Sequence, residues 1–499
     1  MKPTVVFSAV LFFLLFAQAG CGGGQEVAPA PTPPPPPSPG SCGAITRVSV
    51  DSSGAQANGL SDRPSLSADG RYVAFEGANA SNLVPGDTNG VADVFVHDRQ
   101  TGIIVRVSVD SAGAQSNNGS AFASLSADGR LVAFQSIATN LVPGDTNGQI
   151  DVFVHDRDAD GDGVFDEPGA ITTTRVSVDS SGAQVSIGGG APSLSADGRY
   201  VAFMSPASDL VPGDTNGTWD VFVHDRQTGA TTRVSVDSSG AEGNSLSTSP
   251  ALSADGRFVA FASAASNLVA GDTNGAIDVF VHDRDADGDG VFDEPGAITT
   301  TRVSVDSGGA QGNNNSGVLG SDEDRFISAD GRFVAFVSAA SNLVPGDTNG
   351  FTDVFVHDRQ TGITTRVSVD SGGVQANAAS FSPQINPDGR FVVFGSLASN
   401  LVTGDTNGFA DVFVHDRDAD GDGVFDEPGG ISTTRVSVSN SCEQGNDHSA
   451  QGDAGFEPPA LSADGRFVAF ASFASNLVAS DTNGFWDIFV HDQTPNDGP

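Results

Sequence analysis

The stretch ITRVSV, residues 45–50, decides the fold, because the same word returns downstream, each time after a strand that ends in HD. The first copy has no such strand before it, and the last such strand, which ends at Asp492, has no copy after it. At the start of the repeat region an RVSV strand therefore lacks the VFVHD strand that should precede it, and at the end a VFVHD-type strand lacks the RVSV strand that should follow it. The core of the word, RVSV, begins at Arg47, Arg106, Arg175, Arg233, Arg302, Arg366 and Arg435.

Three further words recur in a fixed order, seven times each. SADGR, once NPDGR, contains the Asp-Gly pair of a tight turn, and VFVHD, once IFVHD, is a β-branched and aromatic strand. With strands such as PSLS, RYVAF and TTRVSV around them, each unit contains four short strands joined by turns. The third word, DTNG, begins at Asp87, Asp145, Asp214, Asp272, Asp347, Asp405 and Asp481.

Four strands per unit, repeated around a ring, predict an all-β, seven-bladed β-propeller with four antiparallel strands per blade. In VFVHD the valines face one way and Phe and His the other, which suits a sheet packed between two neighbouring sheets. Residues 44–50 then supply the outer strand of blade seven and close the ring, which removes an exposed strand edge. The predicted regions are a signal peptide, 1–20, a Gly/Pro-rich tether, 21–43, the propeller, 44–492, and a C-terminal tail, 493–499.

The run SADGRYVAF…DVFVHDRQTG…TRVSV resembles the TolB-type propeller repeat, a relative of the WD repeats, with its SPDG turn, IAF strand and DIYV strand. NPDGRFVVF, residues 386–394, is close to that pattern, and the resemblance covers residues 45–492. It implies the propeller fold. We expect no accessory domain of the kind that TolB proteins carry, so the resemblance does not imply their envelope-import role.

The N-terminal residues predict export. An apolar run, Val5–Phe16, is too short to span a membrane. AQAGC places Cys21 after Ala19 and Gly20, which resembles a bacterial lipobox with a lipidated cysteine, although Gln18 stands where an aliphatic residue is usual. AQA also fits ordinary signal-peptide cleavage, which is the alternative. The proline-rich tether favours the lipid anchor, since an anchored domain needs a semi-rigid spacer.

Charge and cysteine content narrow the possible partners. The net charge of -39 excludes nucleic acid, because its phosphates would be repelled. On the oxidising side of a membrane Cys42 and Cys442 are available for a disulfide, which the sequence alone leaves open. We expect a monomer that meets a membrane only through its lipid, as an envelope lipoprotein or, alternatively, as a periplasmic or secreted protein.

Blades two, four and six replace the short RQTG connection with DRDADGDGVFDEPG, which resembles the calcium loops of EF-hand and thrombospondin-type repeats. Alternating carboxylates, a glycine at the sharp turn and a following carbonyl supply the converging oxygens that a hard cation needs. Gly169 stands where an EF-hand has its bidentate glutamate, so we expect a weak affinity of roughly 10⁻⁴ to 10⁻³ M. The alternative is an acidic, solvated turn. The predicted calcium ligands are Asp158, Asp160, Asp162, Val164, Asp166, Asp285, Asp287, Asp289, Val291, Asp293, Asp418, Asp420, Asp422, Val424 and Asp426.

The DTNG loops allow two interpretations. Asp87, Asn89 and Asp93 could chelate a cation, but Asp and Asn before Gly also form ordinary turns, and recurrence in every blade favours turns. Trp219 and Trp486 follow two of these loops. They either stack on a sugar or cover a hydrophobic edge, and we favour the cover.

Sevenfold repetition argues against catalysis, because an active site is one asymmetric constellation. His97 and its six counterparts are therefore predicted to be structural, whereas departures from the repeat are better candidates for function. Long loops enter blades five and seven, and Arg63 and Arg325 are the arginines outside the repeated words, where the alternative is a local ion pair or cap. The candidates for a ligand-binding rim are Arg63, Asp322, Glu323, Asp324, Arg325, Asp447 and His448.

The sequence thus predicts an exported, lipid-anchored, calcium-binding propeller that acts as a binding or scaffold module for a protein or glycan of the cell envelope. The alternative is a polysaccharide lyase or glycoside hydrolase, because propellers also carry such enzymes. A non-repeated cluster of charged residues that converges on the central channel would favour the enzyme.

Overall fold

The computed structural model describes residues 42–317, 326–452 and 455–494, apart from the side chains of residues 451, 452, 455 and 456. These residues lie in one compact unit, Gly40–Pro499. The predicted signal peptide, the lipidation candidate Cys21 and most of the predicted tether lie outside the described residues. No helix in the described ranges is long and apolar enough to cross a membrane.

The described chain is built from short strands. The first is β1 (Ala44–Arg47). Blades one and two contain β2 (Leu60–Leu66), β3 (Tyr72–Ala78), β4 (Asp93–Asp98), β5 (Ile103–Arg106), β6 (Ser120–Leu125), β7 (Leu131–Ser136), β8 (Asp151–Asp156) and β9 (Thr172–Arg175). Blades three and four contain β10 (Gly190–Leu194), β11 (Tyr200–Ser205), β12 (Asp220–Asp225), β13 (Thr231–Arg233), β14 (Ser247–Leu252), β15 (Phe258–Ser263), β16 (Asp278–Asp283) and β17 (Thr299–Arg302).

The remaining strands belong to blades five to seven. They are β18 (Phe333–Ser338), β19 (Asp353–Asp358), β20 (Ile363–Arg366), β21 (Ser380–Ile385), β22 (Phe391–Ser396), β23 (Asp411–Asp416), β24 (Ser432–Arg435), β25 (Gln451–Gly452), β26 (Gly455–Phe456), β27 (Ala460–Leu461), β28 (Phe467–Ser472) and β29 (Asp487–Asp492). In every blade, strands that are consecutive in sequence pair antiparallel. Blade five has three described strands, and single bridges at Ile327 and Ser316 stand at its inner edge. The predicted seven-bladed propeller is confirmed.

The ring is closed as the first quoted stretch predicts. β1 pairs antiparallel with β29, from Ala44 opposite Asp492 to Arg47 opposite Phe489, so the order of the last blade is β1-β29-β28-β27. Val48 continues the contact by donating its amide to the carbonyl of Ile488 at 2.8 Å. Strands from the two ends of the described chain therefore lie in one sheet, and β1 covers the edge that β29 would otherwise expose.

A second contact joins the N-terminal segment to blade six. Cys42 and Cys442 form a disulfide between positions 400 residues apart in the sequence. Beside it, the side-chain amide of Asn440 accepts from the backbone N–H of Ile45 at 2.9 Å and donates to the carbonyl of the same residue at 3.2 Å. The closing strand is thus fixed to both blade seven and blade six.

The core lies between the blades, where both faces of each sheet are covered. Each blade buries two phenylalanines, one from the VAF strand and one from the VFVHD strand; in blade one the rings of Phe75 and Phe95 lie 6.0 Å apart. These two residues pack against Ala469 and Val490 of blade seven. Because both the valine and the phenylalanine side of VFVHD are buried, the strand reads as a nearly continuous apolar run.

The propeller has two distinct faces. We call the side that carries the DTNG loops and the segments entering the next blade the loop face; there Gln56 donates to Thr482 at 2.9 Å. The opposite side carries the SADGR turns, the HDR connections and the inserts, and we call it the turn face. There Arg99 donates to the carbonyl of Gly70 at 2.6 Å. The first strand of each blade lines the central channel between the two faces.

A ring of interblade hydrogen bonds surrounds the channel at the turn face. The amide of the second residue in SADGR donates to the equivalent carbonyl of the next blade; the bonds run from Ala68 to Ala127, Ala127 to Ala196, Ala196 to Ala254, Ala254 to Ala329, Ala329 to Pro387 and Ala463 to Ala68, at 2.8–3.0 Å. Pro387 has no N–H with which to donate in turn. The side-chain amide of Asn386 donates instead to the carbonyl of Ala463 at 3.1 Å. The NPDGR variant therefore completes the ring with a side chain.

Candidate functional sites

The three inserts project from the turn face, and each reaches back to the preceding blade. Phe165 of the blade-two insert packs on Tyr72 of blade one, with ring centroids 5.5 Å apart. The equivalent pairs, Phe292 with Tyr200 and Phe425 with Phe333, lie at 5.4 and 5.3 Å. The inserts thus couple blades one and two, three and four, and five and six.

Each insert brings three alternating aspartates together. Asp158 is buried and accepts from the amides of Asp162 and Gly163 at 3.0 and 3.1 Å, whereas Asp160 and Asp162 are exposed. One carboxylate oxygen from each of the three lies within 4.8 Å of the others, and the same holds for the two equivalent triads. Gly163 has a φ of 88°, a left-handed conformation that favours glycine. These acidic groups can hold a metal ion. The equivalent triads are Asp285, Asp287 and Asp289, and Asp418, Asp420 and Asp422.

The structure gives the fourth predicted carboxylate of each insert another partner. Asp166 forms a bidentate ion pair with Arg157, at 3.0 Å to Nε and 2.6 Å to Nη2. Asp293 and Asp426 do the same with the arginines of their own inserts. The side chains of Val164, Val291 and Val424 are each 50% exposed, next to the triads. The structure therefore groups three of the predicted carboxylates and holds the fourth in an ion pair.

The acidic charge in the inserts is concentrated. In blade six the nearby carboxylates of Asp422 and Asp420 raise the pKa of Glu427, which lies beside the triad. Arg417 is engaged by Asp426 and is not available to neutralise the triad. The triads therefore carry an excess of negative charge, which one nearby arginine offsets only in part; in blade four Arg257 lies 4.0 Å from Asp285.

The DTNG loops form structural ion pairs. In blade five, Nη1 of Arg366 lies 3.2 Å from Asp347 of DTNG and 3.4 Å from Asp353 at the start of the VFVHD strand. Asp353 is fully buried and also accepts from Ser368 at 2.6 Å and from Asn349 at 2.8 Å. The equivalent pairs lie at 3.1–3.5 Å and are Arg47–Asp481, Arg106–Asp87, Arg175–Asp145, Arg233–Asp214, Arg302–Asp272 and Arg435–Asp405. These ion pairs support the interpretation of DTNG as a structural loop.

Burial of two aspartates beside one arginine perturbs their titration. Burial raises the pKa of Asp481 to about 6, and the neighbouring carboxylate of Asp487 raises it further. Burial likewise raises the pKa of Asp220 to about 6. The loop face therefore holds carboxylates that take up protons more readily than free aspartate does.

Blade three carries an extra acidic group that the sequence analysis missed. Glu242 stands where the other blades have Gln, and it lies with Asp214 and Asp220 in a group whose carboxylate oxygens are within 4.8 Å of one another. Arg233 sits among them, with Nη1 2.8 Å from Glu242 and 3.5 Å from Asp214. The substitution within an otherwise repeated word was the signal that could have found this group.

The repeated histidines are buried and neutral. In five blades Nδ1 lies 2.8–2.9 Å from a threonine hydroxyl of the outer strand; the pairs are His155–Thr173, His224–Thr231, His282–Thr300, His357–Thr364 and His415–Thr433. Burial lowers the pKa of each of these histidines, and of His97, to about 4. These contacts agree with the structural role predicted for them.

The rim candidate Arg63 lies in the central channel. Its Nη1 is 3.2 Å from Glu76 and its Nε is 3.2 Å from Glu457 of blade seven, and its guanidinium stacks 4.0 Å from the ring centroid of Phe122. Burial raises the pKa of Glu76. The local ion pair considered for Arg63 is therefore present, and Glu76 and Glu457 are partners that the sequence analysis missed. Together they form a non-repeated charged cluster on the channel.

The other rim candidates divide into two groups. The ring of His448 accepts at Nδ1 from the amide of Ala410 at 3.0 Å and meets the ring of Phe409 edge-on at 4.9 Å. Asp447 accepts from the amide of His448 at 2.8 Å. Both residues therefore lie on the loop face of blades six and seven. Asp322, Glu323, Asp324 and Arg325 lie outside the described residues.

The two tryptophans differ in their surroundings. The ring of Trp486 packs on Phe473, with centroids 5.6 Å apart, and the residue is half-buried. Trp219 is 39% exposed. Trp486 thus agrees with the interpretation of a hydrophobic cover.

Several solved structures are similar to this chain. TolB from Acinetobacter baumannii is 16% identical with a TM-score of 0.34, and the match covers 76% of this chain and 63% of that chain. Oligogalacturonate lyase from Vibrio parahaemolyticus is 12% identical with a TM-score of 0.48, over 90% of this chain and 93% of that chain. The β-propeller domain of the trilobed protease from Pyrococcus furiosus is 8% identical with a TM-score of 0.46, over 88% and 99%.

This chain spans 63% of the length of that TolB structure. No protein-family model matches the sequence, and the search of curated proteins gives no match. The sheet order defines the class of protein as a seven-bladed β-propeller, which is the fold that the resemblance to TolB-type repeats implies.

Proposed function

We propose that this chain is an exported, calcium-stabilised propeller that serves as a binding or scaffold module for a protein or glycan at the cell envelope. The observation that carries the proposal is the group of three carboxylates in each insert. We place calcium in these triads, with a lipid on Cys21 as the anchor.

The chemistry of the triads favours a hard divalent cation. Oxygen ligands from Asp158, Asp160 and Asp162 match the preference of calcium, and three such carboxylates repel one another unless they are neutralised. The match is partial, because Asp166 is paired with Arg157. We therefore keep the expected affinity at roughly 10⁻⁴ to 10⁻³ M, a range typical of extracellular modules.

Calcium at these positions would stabilise the ring as well as the loop. Each insert is anchored on an aromatic residue of the preceding blade, as Phe165 is on Tyr72. An ion that orders the insert therefore also favours the contact between two blades. Binding to the native state alone raises the free energy of unfolding by mass action.

Thermal unfolding with about 10 mM calcium or with a chelator tests the calcium sites. At the expected affinity each occupied site adds about 1.4–2.7 kcal/mol to the free energy of unfolding, so the melting temperature rises. Calorimetry should show three equivalent sites, one for each triad. Asp160→Asn, Asp287→Asn and Asp420→Asn together should abolish both signals.

A matched control removes the same charge from the same face, in blades without an insert. Asp69→Asn, Asp197→Asn and Asp330→Asn remove three exposed carboxylates, keep an oxygen that accepts from the turn backbone, leave the triads intact and should keep both signals. A melting temperature that is independent of calcium, with no heat of binding, would leave three acidic turns and end the proposal. Equal losses in both triple variants would show diffuse attraction instead of a site.

The lipid anchor has its own test. The chain with Cys21→Ser should no longer incorporate radiolabelled palmitate and should leave the membrane fraction. A wild-type chain without label would favour ordinary signal-peptide cleavage and a periplasmic or secreted protein.

The channel cluster favours one second candidate, a polysaccharide lyase or glycoside hydrolase. Arg63, Glu76 and Glu457 converge on the channel without counterparts in the other described blades. If the chain is such an enzyme, it releases new reducing ends or unsaturated products from polysaccharides, and Glu76→Gln lowers that rate. Absence of turnover by the unmodified chain on neutral and acidic glycans would eliminate this candidate.

A further inference from the structure

The exposed aromatic residues of the propeller break its sevenfold repetition. Outside the N-terminal segment and the repeated words, every phenylalanine except Phe122 lies between residues 326 and 485. Phe351, Phe473 and Phe485 are 47%, 39% and 41% exposed. In the described part of the turn face the large exposed apolar residues are all aliphatic, for example Ile103 and the insert valines. Exposed aromatic rings thus belong to the loop face and, except for Trp219, to blades five to seven.

These rings form an arc across three neighbouring blades. We define the aromatic arc by the residues Phe351, Leu397, Phe409, Phe473, Phe485 and Trp486. His448 lies between Phe409 and Phe473: its ring meets Phe409, and its carbonyl accepts from the amide of Phe473 at 3.0 Å. Phe473 in turn packs on Trp486.

The backbone of the loop face carries the arc from blade five to blade six. The amide of Ser380 donates to the carbonyl of Thr352, next to Phe351, at 2.9 Å, and the amide of Leu397 donates to Ala379 at 3.0 Å. Thr352 and Leu397 thus bind two neighbouring residues, Ser380 and Ala379. Phe351, which precedes Thr352, therefore lies near Leu397. Leu397 and Phe409 follow and precede paired strands of blade six at the same end, since Ser396 is opposite Asp411.

The described surroundings of the arc are mostly polar and uncharged, and Asp447, beside His448, adds one carboxylate. The aspartates of its three DTNG loops are buried against arginines: Asp347 on Arg366, Asp405 on Arg435 and Asp481 on Arg47. The exposed polar residues at its edge are amides and hydroxyls, namely Asn377, Ser399, Thr406, Asn446, Ser475 and Thr482. Ser399 and Ser475 follow Leu397 and Phe473 by two residues.

Exposed aromatic rings beside amides and hydroxyls indicate what kind of partner the arc can bind. A patch of exposed apolar residues marks an interaction site, and aromatic rings supply large, rigid contact surfaces. A pyranose ring offers an apolar C–H face to stack on such a ring and hydroxyls to bond to neighbouring amides. The net charge of -39 opposes acidic glycans, and the paired aspartates leave little to attract a basic one.

We propose that the aromatic arc binds a neutral, linear oligosaccharide, which lies along the loop face of blades five to seven. The inference rests on the proposed binding function and names the partner and the surface. The exposed rings of Phe351, Phe473 and Phe485 supply the stacking surfaces, and the amides and hydroxyls at the edge bind the hydroxyl groups of the sugar.

The two tryptophans make the test specific, because the chain contains only Trp219 and Trp486. In the full chain with Trp219→Phe, Trp486 is the single indole reporter. Titration with cellohexaose and chitohexaose should change its emission at micromolar to millimolar sugar. Phe351→Ala and Phe473→Ala should each weaken the binding by about tenfold, since each removes one stacking surface.

The controls separate a site from a general surface effect. Ile363→Ala removes an exposed apolar side chain from the turn face and should leave the affinity unchanged. Polygalacturonate, as the acidic probe, should not bind. Failure of both neutral probes, unchanged affinity in both phenylalanine variants, or binding of polygalacturonate alone would overturn the inference, as would capture of a protein that the neutral sugars do not displace. The calcium measurements use other residues, so stabilisation by calcium without sugar binding would refute the arc and leave the proposed calcium sites standing.

Discussion

The two faces of the propeller use the same repeat for different purposes. On the turn face each blade forms a bidentate pair between the arginine of SADGR and the aspartate of VFVHD, with bonds of 2.7–3.0 Å, and the three inserts are nearly identical. On the loop face the buried part repeats as closely, but the residues after DTNG vary from blade to blade. Repetition thus follows internal contacts, and variation marks the positions that internal contacts leave free.

The faces also differ in how deeply their charges lie. The side chain of Arg366 on the loop face is 10% exposed, between two carboxylates that are 5% and 0% exposed. Arg332 on the turn face of the same blade is 38% exposed, against an aspartate that is 10% exposed. Two arginines of one blade thus form ion pairs in different environments.

The largest expected effect comes from removing the buried arginine. Arg366→Ala leaves Asp347 and Asp353 without their counter-charge and should lower the free energy of unfolding by about 3–5 kcal/mol. Arg332→Ala should lower it by about 1 kcal/mol or less, because water screens the remaining carboxylate. Urea unfolding of both variants measures the difference, and equal losses would refute the contrast between the faces.

Acid should act on the two ends of one strand in opposite directions. At the turn-face end of β12 burial lowers the pKa of His224 to about 4, and at the loop-face end burial raises the pKa of Asp220 to about 6. The folded protein binds the histidine proton less readily than the unfolded chain, so this contribution to stability is lost as the pH falls from about 6.5 to about 4. Asp220 has the opposite effect on stability, because the folded protein binds its proton more readily than the unfolded chain does.

Six buried histidines have a pKa lowered to about 4, against two aspartates with a pKa raised to about 6, so we expect the free energy of unfolding to fall on acidification through this range. His224→Asn should reduce the slope by up to about 1.4 kcal/mol per pH unit, the value for one proton. Asp220→Asn should steepen the slope by less. Urea unfolding between pH 4 and pH 7, at about half-unit steps, measures both; a slope that neither variant changes would contradict the assignment.

The smallest effect concerns the ring of hydrogen bonds at the turn face. Asn386→Ser removes the donor to the carbonyl of Ala463 and should cost about 0.5–1 kcal/mol of stability, because a partly buried acceptor loses its partner. Pro387→Ala added to that variant supplies the missing backbone N–H and should restore most of the loss. A double variant that is no more stable than Asn386→Ser would show that the seventh bond does not matter.

Short repeated sequence motifs predicted most of the fold. Asp-Gly turns, β-branched strands and a fixed order specify a blade without reference to distant residues, and the missing neighbours at Arg47 and Asp492 specified the closure. The three acidic triads were also found, because alternating aspartates and a glycine lie within six residues of one another. The ion pair of Asp166 was missed, since its arginine belongs to the same word and pattern alone does not show which carboxylate it takes.

The sequence by itself determined the number of blades, the strand that fastens the ring and the loops rich in carboxylates, because each depends on short-range chemistry repeated in a fixed order. Only the tertiary structure decided that Arg63 meets Glu457 and that the aromatic residues of three blades form one arc. Arg63 and Glu457 are 394 residues apart and meet only because the ring closes, whereas Phe409 and His448 meet because consecutive blades pack side by side.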